Sequence, residues 1–72
     1  MSKYNAEVIS RSVAARRAMA RLTQQELADK AGVSVSTVRV LEQKGKSPTA
    51  ENFCRIAEAL DCSLDDLLRL PQ

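Results

Sequence analysis

Apolar residues recur at helical spacing along most of the chain, and polar capping residues punctuate them. Leu27, Ala28 and Ala31 make one small apolar face, and Val38 and Leu41, three apart, share another. Phe53, Ile56, Ala57 and Leu60 repeat the spacing, with Cys54 at the edge of the stripe, and Leu64, Leu67, Leu68 and Leu70 form a last apolar set. Near the start, Ile9, Val13 and Ala20 mark an inner stripe flanked by Val8. That stripe is weaker, because Ala14, Ala15 and Ala18 supply helix propensity more than core. Leu22 enters the core after it. No segment reads as a strand, so the pattern predicts an all-α chain.

The polar residues set the boundaries. Thr23 and Glu26 have the spacing of a capping box, so a helix starts after Thr23. Gly32 ends it, because a residue just past a helix end often needs positive φ, which costs glycine least. Ser34 caps the next helix, with Val33 and Val38 placed as a hydrophobic staple. Thr49 and Ser63 cap two more, and Asp65 and Asp66 favour the N-terminal dipole of the last one. Pro71 stops that helix. The first helix is expected over residues 7–20, the third over 35–43, the fourth over 50–60 and the fifth over 64–70. Residues 1–6 read as a flexible arm, residues 7–70 as a single domain, and residues 43–48 (QKGKSP) as a loop.

Composition narrows the function. A chain of 72 residues is one domain of marginal stability, burying roughly 60% of its unfolded surface. Tyr4 and Phe53 are its only aromatic residues, too few for a base-stacking platform. No apolar run approaches a membrane span, and the start (MSKYNAEVIS) lacks a signal-peptide core, so the cytoplasm is the expected compartment. With two cysteines and no histidine, a zinc site lacks ligands, and Cys54 and Cys62 read as small buried hydrophobes. There is no nucleophile–base pair and no glycine-rich phosphate loop, so neither an enzyme nor a cofactor is expected. Charge is uneven: residues 1–48 carry nine Lys/Arg against four Asp/Glu, and residues 49–72 carry two against five. The basic part points to a polyanion partner, with ordinary solvated charge as the bland alternative.

The stretch from Thr23 to Glu42 is the most specific feature. Counting Gln24 as the first position, Ala28 is fifth, Gly32 ninth, Val38 fifteenth and Leu41 eighteenth. A small residue at the fifth position lets two helices cross closely. The glycine makes the bend, and the last two positions bury the second helix on its neighbours. A DNA-binding helix-turn-helix needs this arrangement to hold its second helix and project the other face.

From about Ile9 to Leu68 the chain resembles the lambda-repressor-like (XRE-type) helix-turn-helix family, which includes small phage repressors and Cro proteins. The matching residues are LTQQELADKAGVS, Val38, Leu41 and Glu42, SPTAENF, and IAEAL followed by CSLDDLL. The resemblance implies a compact five-helix domain from a bacterium or phage, binding double-stranded DNA with its third helix in the major groove. It maps base reading onto Ser34, Val35, Ser36, Arg39 and Val40, and phosphate contacts onto Gln24, Gln43, Lys44 and Lys46. It maps a partly buried salt bridge onto Arg17 and Glu42. Arg39 could pair with a guanine or hold a phosphate. Val35 and Val40 are unusually apolar for a base-reading face and suit either thymine methyl groups or a protein partner. Arg21 and Asp61 stand where relatives often have glycine, and Gly45 falls one residue later than usual, so the third helix is expected to end about a residue later.

These readings imply a transcriptional repressor that binds as a homodimer on a two-fold operator, with Leu64, Leu68 and Leu70 as candidate dimer contacts. The alternative is an antitoxin-like or protein-interaction module whose exposed valine face binds a protein.

Overall fold

Asn5 starts the fold. Its Oδ1 accepts the backbone N–H groups of Glu7 (3.0 Å) and Val8 (3.2 Å), two donors that a helix start leaves free. The computed structural model describes residues 5–46 and 49–71. It contains α1 (Ala6–Met19), α2 (Gln24–Ala31), α3 (Val35–Lys44), α4 (Ala50–Ala59) and α5 (Leu64–Leu67), with no strand among the described residues. Asn5 and Ala6, expected in a loose arm, are therefore the cap and first residue of α1. The rest of that arm, and loop residues 47 and 48, lie outside the described residues.

The other helices are capped as their sequences dictate. Thr23 Oγ1 accepts from Glu26 N–H (3.0 Å), and Glu26 Oε1 accepts from Thr23 N–H (2.9 Å). Ser63 and Asp66 repeat this reciprocal box at α5 (3.1 and 3.0 Å). Ser34 accepts from Thr37 N–H (3.2 Å) and Thr49 from Asn52 N–H (3.0 Å). Each cap contributes about 1 kcal/mol, which matters in a small domain.

One core joins all five helices. It contains Ile9 and Val13 of α1, Leu27, Ala28 and Ala31 of α2, Val38 and Leu41 of α3, Ile56, Ala57 and Ala59 of α4, and Leu67 of α5. Leu22, Val33, Phe53, Leu60, Cys62 and Leu68 pack around it, partly buried.

Three expectations are corrected. Ala20 is exposed, because the helix has ended and it is the C-cap of α1. The inner face of α1 instead includes two serines. Ser10 Oγ donates to the Glu7 carbonyl (2.9 Å) and Ser12 Oγ to the Asp66 carbonyl (3.4 Å), so burial leaves neither hydroxyl unpaired. The fifth helix ends at Leu67 rather than Leu70. Pro71 disfavours helical backbone at Leu70 and supplies no N–H to continue the ladder. Leu68 and Arg69 close the last turn with bonds to the Asp65 and Asp66 carbonyls. Cys54 and Cys62 are only partly buried rather than enclosed.

Gly45 fixes where α3 stops. The helix runs to Lys44, and Gly45 caps it at φ 66 with its N–H on the Leu41 carbonyl (2.9 Å). A Cβ there would lie 2.0 Å from the Ala6 carbonyl oxygen, so the end of α3 sits against the start of α1. No helix among the described residues is long and apolar enough to cross a membrane.

Candidate nucleic-acid interface

Helices α2 and α3 form the helix-turn-helix. Gly32 takes φ 72 at the turn, and Ala28 is wholly buried where the two helices meet the core. Along α3 the faces divide. Thr37, Val38 and Leu41 are buried, while Ser36, Arg39, Val40, Gln43 and Lys44 are exposed. Arg39 and Lys44 make no ion pair among the described residues, and neither does exposed Lys46.

Two residues proposed as base readers are placed differently from Ser36, Arg39 and Val40. Ser34 is exposed, but its Oγ already accepts from Thr37 N–H and pairs with the Thr37 hydroxyl at 3.0 Å. Its first task is to start α3. Val35 was expected on the outward face, yet it packs partly buried against the core. As the first residue of α3, it lies beside the turn rather than on the helix's free side. Val40 remains exposed at 38% of its surface, so the apolar outer face is one valine rather than two.

A polar network holds α3 in place. Arg17 presents its guanidinium edge to Glu42, with Nε donating to Oε2 (2.6 Å) and Nη2 to Oε1 (3.0 Å). Nη1 donates to the Leu22 carbonyl at 2.8 Å. Gln24 Nε2 adds a bond to Glu42 Oε1 at 3.1 Å. The Glu42 side chain is only 7% exposed, so these donors replace the water it has lost. The hydrogen bond to Glu42 raises the Arg17 pKa above its ordinary value, against the opposing effect of burial. One network therefore joins α1, the α1–α2 turn, the first residue of α2 and the end of α3. The spacing of the sequence contains no signal for the parts played by the Leu22 carbonyl and by Gln24, because both depend on how the helices cross.

The remaining basic residues of α1 have local partners. Arg11 pairs with Glu7 at 2.7 Å on the surface. Arg16 turns toward α5, with Nη2 donating to the Asp66 carbonyl at 3.4 Å. The Cys62 thiol lies near Arg16, Asp61 and Asp66. Burial pushes its pKa up, Arg16 opposes this, and the two carboxylates add to it.

A family model described as helix-turn-helix matches residues 13–67. The cryptic phage CTXphi transcriptional repressor RstR of Vibrio cholerae is 40% identical over 45 residues. That match covers 62% of this chain and 40% of RstR, so the chain spans well under half of that relative. Among solved structures, the P22 c2 repressor in complex with a synthetic operator is similar with a TM-score of 0.76 and 32% identity, covering 83% of this chain and 91% of that one. The hypothetical transcription factor NHTF from Neisseria matches with a TM-score of 0.81 and 27% identity, over 93% of this chain and 75% of that one.

Proposed function

This chain belongs to the helix-turn-helix family, with the lambda-repressor-like fold, and from that we propose that it is a sequence-specific double-stranded-DNA-binding repressor of transcription. The single observation that carries this reading is the two-sidedness of α3. One face is locked into the core, and the other presents Ser36, Arg39, Val40 and Gln43 to solvent. A helix held this rigidly can lie in a major groove without reorganising. The similarity to RstR, a transcriptional repressor, and to the operator-bound P22 c2 repressor supports the same reading.

In this proposal Arg39 reads a guanine through two parallel N–H bonds, and Val40 packs on a thymine methyl group. Ser36 hydrogen-bonds a base edge. Ser34 and Val35 set the helix start and contact the groove only at its margin. Gln24 uses one amide hydrogen on Glu42 and keeps the second for a phosphate. Gln43, Lys44 and Lys46 contact phosphates from the other end of α3, which makes binding salt-dependent. The protein works in the cytoplasm as a homodimer on a two-fold operator, because one such domain makes few contacts. Leu64 (39% exposed) and Leu70 (45% exposed) serve the dimer contact, whereas Leu68 packs on the core.

The antitoxin-like or protein-binding alternative draws on an apolar outer face. With Val35 packed inward, that face is reduced to Val40, which favours the DNA reading. The distinguishing experiment is duplex binding across a salt series. Binding that weakens steeply with salt supports the DNA reading, and absence of binding at low salt refutes it.

A further inference from the structure

Arg21 occupies the α1–α2 turn at φ 58, in the left-handed region where residues other than glycine are strained. Asp61 does the same at the α4–α5 turn, at φ 60. The two turns are built alike. Arg21 N–H bonds the Ala18 carbonyl (3.0 Å) and Leu22 N–H that of Arg17 (3.1 Å), while Asp61 and Cys62 bond Glu58 and Ala57, each at 3.0 Å. Strain is common to both turns and singles out neither.

Their surroundings differ. The Arg17 guanidinium holds the Leu22 carbonyl with one nitrogen (2.8 Å) and the Glu42 carboxylate with the other two (2.6 and 3.0 Å). One small planar group thus pins the residue next to Arg21 against the last turns of α3. Gln24, three residues further on, bonds the same carboxylate. The α1–α2 turn is therefore fixed beside the end of α3 that carries exposed Gln43 and Lys44. Arg21 is exposed and makes no ion pair among the described residues. Asp61 is an anion in the acidic part of the chain, near Glu58 and Asp66.

From this placement we propose that Arg21 is a direct DNA-phosphate contact, adding one cation at the edge of the surface formed by Gln24, Gln43 and Lys44. The proposal rests on the DNA-binding reading. Arg21 occupies its turn at the cost of local strain that glycine would not have. It contributes affinity but no sequence information, since a phosphate looks the same at every step.

The test uses the full chain, a labelled duplex of random sequence, and salt between about 50 and 200 mM. For each protomer bound, Arg21→Gly is expected to lower the slope of log affinity against log salt by about 0.9 and to weaken binding roughly eightfold at about 0.1 M salt. Arg21→Lys keeps the slope. Asp61→Gly, which relieves the same strain at the matching turn, changes neither slope nor affinity. Thermal melting checks that the variants remain folded. If Arg21→Gly fails to melt cooperatively, Arg21→Gln carries the test, since it removes only the charge. An unchanged slope in the neutral variant, beside a normal slope in the parent, overturns the role of Arg21 alone. A parent without salt-dependent binding overturns the DNA-binding reading and this inference with it.

Discussion

Arg17 on α1 and Glu42 on α3 are joined by two hydrogen bonds, 2.6 and 3.0 Å long, although 25 residues separate them in sequence. Glu42 is almost wholly buried, so removing its partner leaves a carboxylate with Gln24 as its remaining side-chain donor among the described residues. Arg17→Ala is expected to cost about 3 kcal/mol, near the low end for a buried pair because Arg17 is itself 22% exposed. A domain of this size holds only about 4–11 kcal/mol in all, so the variant should lose much of its stability. Urea unfolding measures this. The double replacement Arg17→Met with Glu42→Leu should lose less than either single truncation, because it leaves no buried charge unpaired.

The two glycines make unequal demands. Gly45→Ala places a Cβ 2.0 Å from the backbone oxygen of Ala6, and backbone cannot move aside as a side chain can. Gly32→Ala meets only the tip of Arg55 at 3.2 Å, so it carries little beyond the left-handed strain of about 1–2 kcal/mol. Gly45→Ala should therefore lower the melting temperature clearly more than Gly32→Ala. Equal losses would show that the contact between the α3 end and the α1 start contributes little.

Asp61→Gly should raise stability. It removes left-handed strain and an anion at the C-terminal end of α4, both unfavourable, against the backbone entropy that glycine adds to the unfolded chain. The net gain is about 1 kcal/mol, or roughly 4–8 °C in melting temperature for a domain of this size. Arg21→Gly should gain less, since a cation at the end of α1 is favourable and is lost with the side chain.

The Ser63–Asp66 box adds a pH dependence. Bonds from the Ser63 backbone, and then from its side chain, lower the Asp66 pKa in the folded protein. A lowered folded value means that the stabilisation is complete above the unfolded carboxylate pKa, about 4, and is lost as pH falls through the folded value. The stability difference between the parent and Asp66→Asn should therefore be constant near neutrality and shrink below about pH 4. A difference independent of pH down to acid unfolding would contradict this.

Much of the fold was legible because it rests on local chemistry. Thr23, Ser34, Thr49 and Ser63 each cap the helix their position predicted, and Gly32 makes its turn. Arg21 and Asp61, read as departures from glycine, do adopt positive φ. What the sequence could not convey depends on packing. Ser10, Ser12 and Thr37 are buried, which a reading of apolar spacing passes over. Val35 looks outward by helical count but is drawn inward beside the turn. The framework of the helix-turn-helix was therefore clearer than the outer face of α3. That face now rests on Ser36, Arg39, Val40 and Gln43, with Ser34 committed to its cap.

The most direct test of DNA reading by α3 is selection of bound duplexes from a random pool at moderate salt, run with the parent chain and with Arg39→Ala. The parent should enrich a two-fold sequence with half-sites about one helical turn apart. Arg39→Ala should relax one guanine position in each half-site. Failure of the parent to enrich any sequence would contradict sequence-specific recognition by α3.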